Sequence, residues 1–448
     1  MNRDTSLYKQ LMTLALPIMG ANFLQTLYNL ADTFFLGRLG REAVSAPGIS
    51  FHIILFLVVF GTGFSMAATT VISQWRGRGD QQRVDYYATQ IFSIMVVFSL
   101  IITIVGYFGT ETILRLIQVP DDIFPHVFIY LRIIFLGMPF MFIAFILKGI
   151  LQGVGNGMTP LRIQLVTIIL NVILDPLLIF GWGPVPAFGV AGAAAATIFA
   201  RFVSSAAGLV ILVRGRHGVR LRREYLIPRI KAIKVLGNIG MPIAVGQGIS
   251  SLGFLVMQGV VNTLGVSVIA VFGIGSRIIQ VFNMPAMGFS QATAVMVGQS
   301  LGAKRPDQAQ QVVRQSILTI MLFMGAGMTI VFFSGETLVS WFIADSRVIS
   351  LGKVMFQIQA VAVMFYTLFM VLNGAFQGGG YSRPIMMLNI FRLWGIRVPL
   401  AYAAVTLLGR GEVSIWVAML VSNIITASIS LIIYRKGKWI SHLDIEST

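Results

Sequence analysis

Cysteine is absent from the 448 residues, so no disulfide and no thiolate metal site can form. Charge is scarce: Asp, Glu, Lys and Arg make up 11% of the chain, with 16 acids against 33 basic residues. A soluble protein of this length could not clothe its surface with so few charges. Hydrophobic residues fill 56% of the chain instead. Apolar runs of about 20 residues, the length of a transmembrane helix, recur from end to end. Met1–Lys9 is polar and the first apolar run is long enough to span, so a membrane anchor is expected there and not a cleavable signal. A nucleophile–base arrangement, a phosphate loop and a metal cluster at membrane depth are all missing, which argues against an enzyme.

The net charge of +17 is sorted by loop and forms no nucleic-acid-binding stripe. Arg76, Arg78 and Arg83 follow the second apolar segment, and Lys148 and Arg162 flank the loop after the fourth. Eight basic residues from Arg214 to Lys234 follow the sixth, Lys304, Arg305 and Arg314 the eighth, Arg383 the tenth, and Arg435, Lys436 and Lys438 the last. The opposite loops are short or acidic, as at Glu111, Asp121 and Asp122. This is the positive-inside pattern, with both termini cytoplasmic. The pattern predicts an all-α polytopic membrane protein of twelve transmembrane helices between residues 9 and 434, the eleventh over 384–408.

An internal repeat organises these helices. A gapless shift of 225 residues lays Pro17 on Pro242, Gly48 on Gly273, Gly63-Phe64-Ser65 on Gly288-Phe289-Ser290, and Gly77 on Gly302. The same shift pairs Gly149 with Gly374, Gln152 with Gln377, Gly153 with Gly378 and Gly155 with Gly380. Parallel repeats of six helices mark a transporter of two pseudo-symmetric lobes. The expected division is a first lobe over 1–213, a basic cytoplasmic linker over 214–232 and a second lobe over 233–448.

Two acids break the symmetry. Asp32 lies within the apolar run Leu11–Leu36 and Asp175 within Ile163–Phe180, and every other acid falls in or beside a polar loop. A carboxylate at bilayer depth costs about 2.5–3.5 kcal/mol and usually serves a task. The shift sets Met257 opposite Asp32, and the Arg397-Val398-Pro399 region opposite Asp175. Each acid sits six residues before the outer end of its helix, about 9 Å along the axis. Gln25, Tyr28 and Asn29 share a face with Asp32, and Asn171 lies one turn before Asp175. Thr197 adds a hydroxyl in the sixth helix, after the small residues Gly192–Ala196. Carboxylates, amide oxygens and a hydroxyl suit a shared proton or a hard cation such as Na⁺ at Asp32, Asp175, Asn171 and Thr197. Pro17 and Pro176 each remove a helical hydrogen bond and make hinges of the two helices.

These residues resemble the multidrug and toxic compound extrusion (MATE) transporters. The likeness rests on Leu16-Pro17-Ile18, Ala31-Asp32-Thr33, Gln152-Gly153-Val154-Gly155, Asn171–Pro176 and Gly189–Ala194 within the two-lobe layout. Acids confined to the first lobe look like the DinF-like branch. The resemblance implies export of hydrophobic, often cationic drugs or toxins against inward flow of H⁺ or Na⁺, without a cofactor. Asp32 and Asp175 would take the ion, with Asn171 and Thr197 nearby, and helix 1 would bend at Pro17. It also implies a monomer in a prokaryotic inner membrane, touching lipid and no nucleic acid.

Other readings stay open at this level. Gln25, Tyr28 and Asn29 serve either as substrate-lining groups or as interhelical bonds. Arg277, Arg392 and Arg397 either pair with carbonyls or bind an anionic substrate. A flippase for a lipid-linked or amphiphilic substrate is the alternative function. A channel is disfavoured by the lack of a ring of pore-lining charges.

Overall fold

The computed structural model describes the backbone of residues 3–38, 41–407 and 411–440; the side chains of 3–6, 29–33, 36, 37, 41–46, 52 and 407 lie outside the described set. The chain is a succession of long helices: α1 (Arg3–Gly37), α2 (Arg41–Arg78), α3 (Gln81–Leu116), α4 (Phe124–Gly153), α5 (Met158–Phe180) and α6 (Gly189–Val213). After the linker come α7 (Ile230–Asn262), α8 (Val266–Gly302), α9 (Pro306–Ser340) and α10 (Ser346–Gly378). Among the described residues, eleven helices are long and apolar enough to cross a membrane.

The segment expected as helix eleven is helical but interrupted. It runs as α11 (Ser382–Ile390), a π segment (Phe391–Arg397), α12 (Val398–Tyr402) and a second π segment (Ala403–Leu407) before α13 (Val413–Arg435). Pro399 cannot donate a hydrogen bond, and Gly395 has no side chain to hold the helix wall. Wide turns of this kind concentrate at functional positions.

The 225-residue repeat reappears as geometry. In the first half α4 crosses α2 where a Cβ on Gly149 would run into the Ser65 carbonyl oxygen. In the second half α10 crosses α8 where a Cβ on Gly374 would run into that of Ser290. Both serines donate across the seam, Ser65 Oγ to the Phe145 carbonyl at 2.7 Å and Ser290 Oγ to that of Met370 at 2.6 Å. One turn on, Gly153 faces Ile72 and the Thr69 carbonyl, as Gly378 faces Val297 and that of Ala294. The helices also end alike. Gly155 (φ +91°) and Gly380 (φ +72°) take the left-handed conformation. Asn156 N–H then closes onto Leu151 O at 2.9 Å, and Tyr381 N–H onto Phe376 O at 2.8 Å. This is the glycine-terminated helix end in which a left-handed residue satisfies orphan carbonyls.

By contact the chain forms two compact units, one of residues up to Met19 with those from Pro242 onward, the other Gly20–Met241. The chain therefore passes between units inside α1 and inside α7, two residues after Pro17 and directly before Pro242. Leu7, Leu11, Leu14, Ala15 and Ile18 share a buried cluster with Phe289, Val295, Phe369 and Phe376 of the second half.

Within the Gly20–Met241 unit the basic linker is strapped onto α3. Asp85, 2% exposed, accepts from the Arg220 N–H at 2.9 Å, from Gln81 Nε2 at 2.9 Å and from Arg222 Nε at 3.0 Å. Thr89 Oγ1 accepts from the Arg222 N–H at 3.0 Å. Buried Gln90 accepts from the Arg229 N–H at 2.7 Å and donates to the carbonyls of Tyr225 and Ile227 at 2.6 and 2.8 Å. The bond and charge of Asp85 hold the Arg222 guanidinium above its ordinary pKa. Asp85→Ala strands these donors, at a cost of about 1–3 kcal/mol for a buried donor left unpaired. We expect trypsin to cut the variant after Arg220, Arg222 or Arg223 faster than wild type, read as fragment appearance on a gel.

Candidate functional site

The acid expected in the fifth helix is fully buried. Asp175 and Asn171 are both 0% exposed, and Asn171 Nδ2 donates to Asp175 Oδ1 at 3.0 Å. One helical turn separates them, so α5 itself supplies the geometry. Pro176 follows within the helix and leaves the Val172 carbonyl without its helical donor. Gly181 (φ +76°) ends α5. The start of α6 lies tight against this end, since a Cβ on Gly192 would run into the Leu178 carbonyl oxygen. The small residues read from the sequence are thus what lets α6 approach the Asp175 turn. Thr197 is half-buried on α6, five residues past Gly192.

Helix α1 is continuous through buried Pro17. Asp32 and Asn29 lie in α1 by backbone, with side chains outside the described residues. Gln25 and Tyr28 are described, and they meet cations. Gln25 Oε1 accepts from Gln164 Nε2 at 3.2 Å and from Arg201 Nη2 at 3.5 Å. The Arg201 guanidinium lies 5.1 Å from the Tyr28 ring centroid. One turn earlier, Asn22 Oδ1 accepts from Lys148 Nζ at 3.4 Å. Asn22, Gln25 and Tyr28, spaced by three residues, form one stripe of α1 facing α4, α5 and α6. The sequence reading overlooked Arg201 and treated Lys148 as a loop flank. The signal was present, because Arg201 stands at the midpoint of the apolar run Gly189–Val213.

In the other unit Met257 is 2% exposed and apolar where the first half has Asp32. Arg392 and Arg397, on the first π segment, are 4% and 3% exposed. Arg397 donates to Ser422 Oγ at 3.0 Å and to Asn423 Oδ1 at 2.8 Å. Arg392 rests on the rings of Tyr366 and Phe369, at 5.1 and 5.5 Å. Among the described residues, aromatic faces and neutral acceptors stabilise these charges without a carboxylate, as cation–π contacts do best when desolvated.

A family model described as MatE matches residues 17–177 and again 242–403, the second match beginning 225 residues after the first. The probable multidrug resistance protein NorM of Thermotoga maritima is 29% identical over 431 residues, 96% of this chain and 93% of its own. The FAD transporter of Shewanella oneidensis is 28% identical over 380 residues, 84% of this chain and 83% of its own. A crystal structure of MATE in complex with MaD3S has the same fold, with a TM-score of 0.90 at 23% identity over 99% of this chain and 97% of that one. A repeat matched twice, a membrane-spanning helical fold and relatives of full length converge: the chain belongs to the MatE family and is a multi-pass membrane transporter, not an enzyme.

Proposed function

We propose that this transporter exports hydrophobic, often cationic small molecules, drugs and toxins among them, in exchange for an inward-moving cation, the proton before Na⁺. The observation that carries the reading is Asp175, fully buried, bonded to Asn171 and without an acidic counterpart in the repeat. Asp32, five residues before the end of α1, joins Asp175 to hold the ion, and Thr197 adds an oxygen from α6. Confinement of the intramembrane acids to the first half supports a place in the DinF-like branch. The Thermotoga relative, named for multidrug resistance, supports the cargo class.

Loading the carboxylates bends α1 at Pro17, with Pro176 loosening α5. Each state of the cycle prefers one ligand, and linkage then enforces exchange. The lobes over 1–213 and 233–448 alternate access around this step. The protein works as a monomer in the prokaryotic inner membrane, with both termini cytoplasmic and lipid around it. A flippase acting on a lipid-linked amphiphile is the second reading, favoured by the buried Arg392 and Arg397.

Efflux from proteoliposomes under separately imposed ΔpH and ΔNa⁺ decides the ion. We expect ΔpH alone to drive efflux. Efflux that responds to neither gradient removes the antiport reading.

A further inference from the structure

We propose that Lys148, Arg201 and Asn22 form a binding site for an anionic headgroup, a phosphate or a carboxylate, on the molecule this transporter moves. The inference rests on the transport reading above and extends its cargo to molecules that carry an anionic headgroup.

An ammonium carries three N–H donors and a guanidinium five, and neither can accept. Lys148 places one bond on Asn22 at 3.4 Å, and Arg201 places one on Gln25 at 3.5 Å. Both contacts are longer than the 2.7–2.9 Å of a well-made charge-assisted bond. Gln164 competes with Arg201 for the same Gln25 oxygen. Asn22 Nδ2 is buried with no acceptor among the described residues. Among the described residues the bonds from Lys148 and Arg201 to Asn22 and Gln25 leave most of the two cations' donors for another acceptor. Asn22 Nδ2 is the fully buried donor among them, and a buried donor is normally paired; Lys148 and Arg201 are half-buried.

Charge points the same way. Among the described residues neither Lys148 nor Arg201 has a salt-bridge partner. Their charges repel one another. Arg201 stands twelve residues from either end of α6, about 18 Å from each along the axis. Two like charges within the apolar helices α4 and α6, with no carboxylate beside them among the described residues, are costly, and a shared oxyanion relieves their repulsion. The Tyr28 ring beneath the guanidinium provides an apolar wall for the rest of an amphiphile.

The site is separate from the carboxylate. Gln164 and Asp175 are eleven residues apart on α5, about 16 Å. The first-half unit thus carries an acid near one end of α5 and a basic cluster near the other. Asn22, Gln25 and Tyr28 follow one another at three-residue spacing along α1, so the basic cluster faces one stripe of that helix.

The test uses the full chain in phosphatidylcholine proteoliposomes under one proton gradient. Uptake of carboxyfluorescein, an anion, is compared with that of ethidium, a cation. We expect the anion-to-cation rate ratio to fall about tenfold in Lys148→Gln and in Arg201→Gln, the loss of one charge-assisted bond. Lys148→Arg restores the ratio, which a folding defect would not allow. A third arm follows fluorescent phosphatidylglycerol between leaflets. Lipid movement lost in the Gln variants, with no carboxyfluorescein uptake by wild type, keeps the site and assigns the headgroup to lipid. A ratio and a lipid rate both unchanged in the Gln variants overturn the proposal, as does a wild type that moves neither anion. Asp175→Asn separates the two readings: if it keeps gradient-driven uptake while Lys148→Gln shifts the ratio, the coupling reading fails and the anion site stands.

Discussion

Asp175→Asn is expected to collapse gradient-driven accumulation while leaving downhill exchange of cargo intact. The substitution keeps the size and planarity of the side chain and an oxygen that can accept from Asn171. It removes the one property Asn lacks, a charge that a proton can neutralise. One proton crossing 100 mV delivers about 2.3 kcal/mol, which sustains a cargo gradient of about fiftyfold. With only Asp32 left of the proposed pair, that force no longer drives the switch, and the ratio falls toward unity. The measurement is the steady-state accumulation ratio in proteoliposomes at fixed potential, with counterflow of labelled cargo in the same vesicles. An unchanged ratio would show that coupling lies elsewhere. Loss of counterflow too would make Asp175 a structural residue.

The second large effect concerns the fold. Gly149→Val and Gly374→Val each place a branched side chain where two helix backbones touch. The Cβ alone meets a carbonyl oxygen of the facing helix at both sites, and backbone cannot step aside as a side chain can. Overpacking of this kind costs about 1–3 kcal/mol, and the seam serine loses a bond worth about 0.5–1.5 kcal/mol. The two sites lie in different units, so the costs should add. Thermal unfolding in detergent should show two comparable single-variant losses and a double variant that fails to fold. Gly109→Ala is the control, since a Cβ there meets only the flexible tip of Ile113 at 3.9 Å. A Gly149→Val protein that melts like wild type would mean that the seam is not tight.

Much of this arrangement was legible before any coordinates. Gapless pairing of Gly149 with Gly374 and Gly153 with Gly378 already implied one six-helix unit built twice. Asn171 and Asp175, four residues apart in an apolar run, could only be neighbours. Other features left weaker traces. A single arginine in 25 apolar residues barely alters a windowed hydropathy, so Arg201 vanished into its helix. The strap escaped notice because its anchors, Asp85, Thr89 and Gln90, read as the ordinary polar start of a helix. Which backbone groups they satisfy depends on contacts more than 130 residues away in sequence. The π turns of the eleventh segment were hidden for a related reason. Gly395 and Pro399 allow a break, but they do not specify the widened hydrogen bonding that fills it.

The place where the chain changes units has a consequence for fragments. The linker looks like the natural seam for cutting the protein in two, yet both crossings lie inside helices, at Met19 and at Met241. A first half ending at residue 213 would carry Leu7, Leu11, Leu14, Ala15 and Ile18 without their partners Phe289, Val295, Phe369 and Phe376. A second half beginning at residue 233 would lack the same contacts from the other side. Neither piece should be soluble in mild detergent alone, and the two expressed together should copurify, each acting as the folding template of the other.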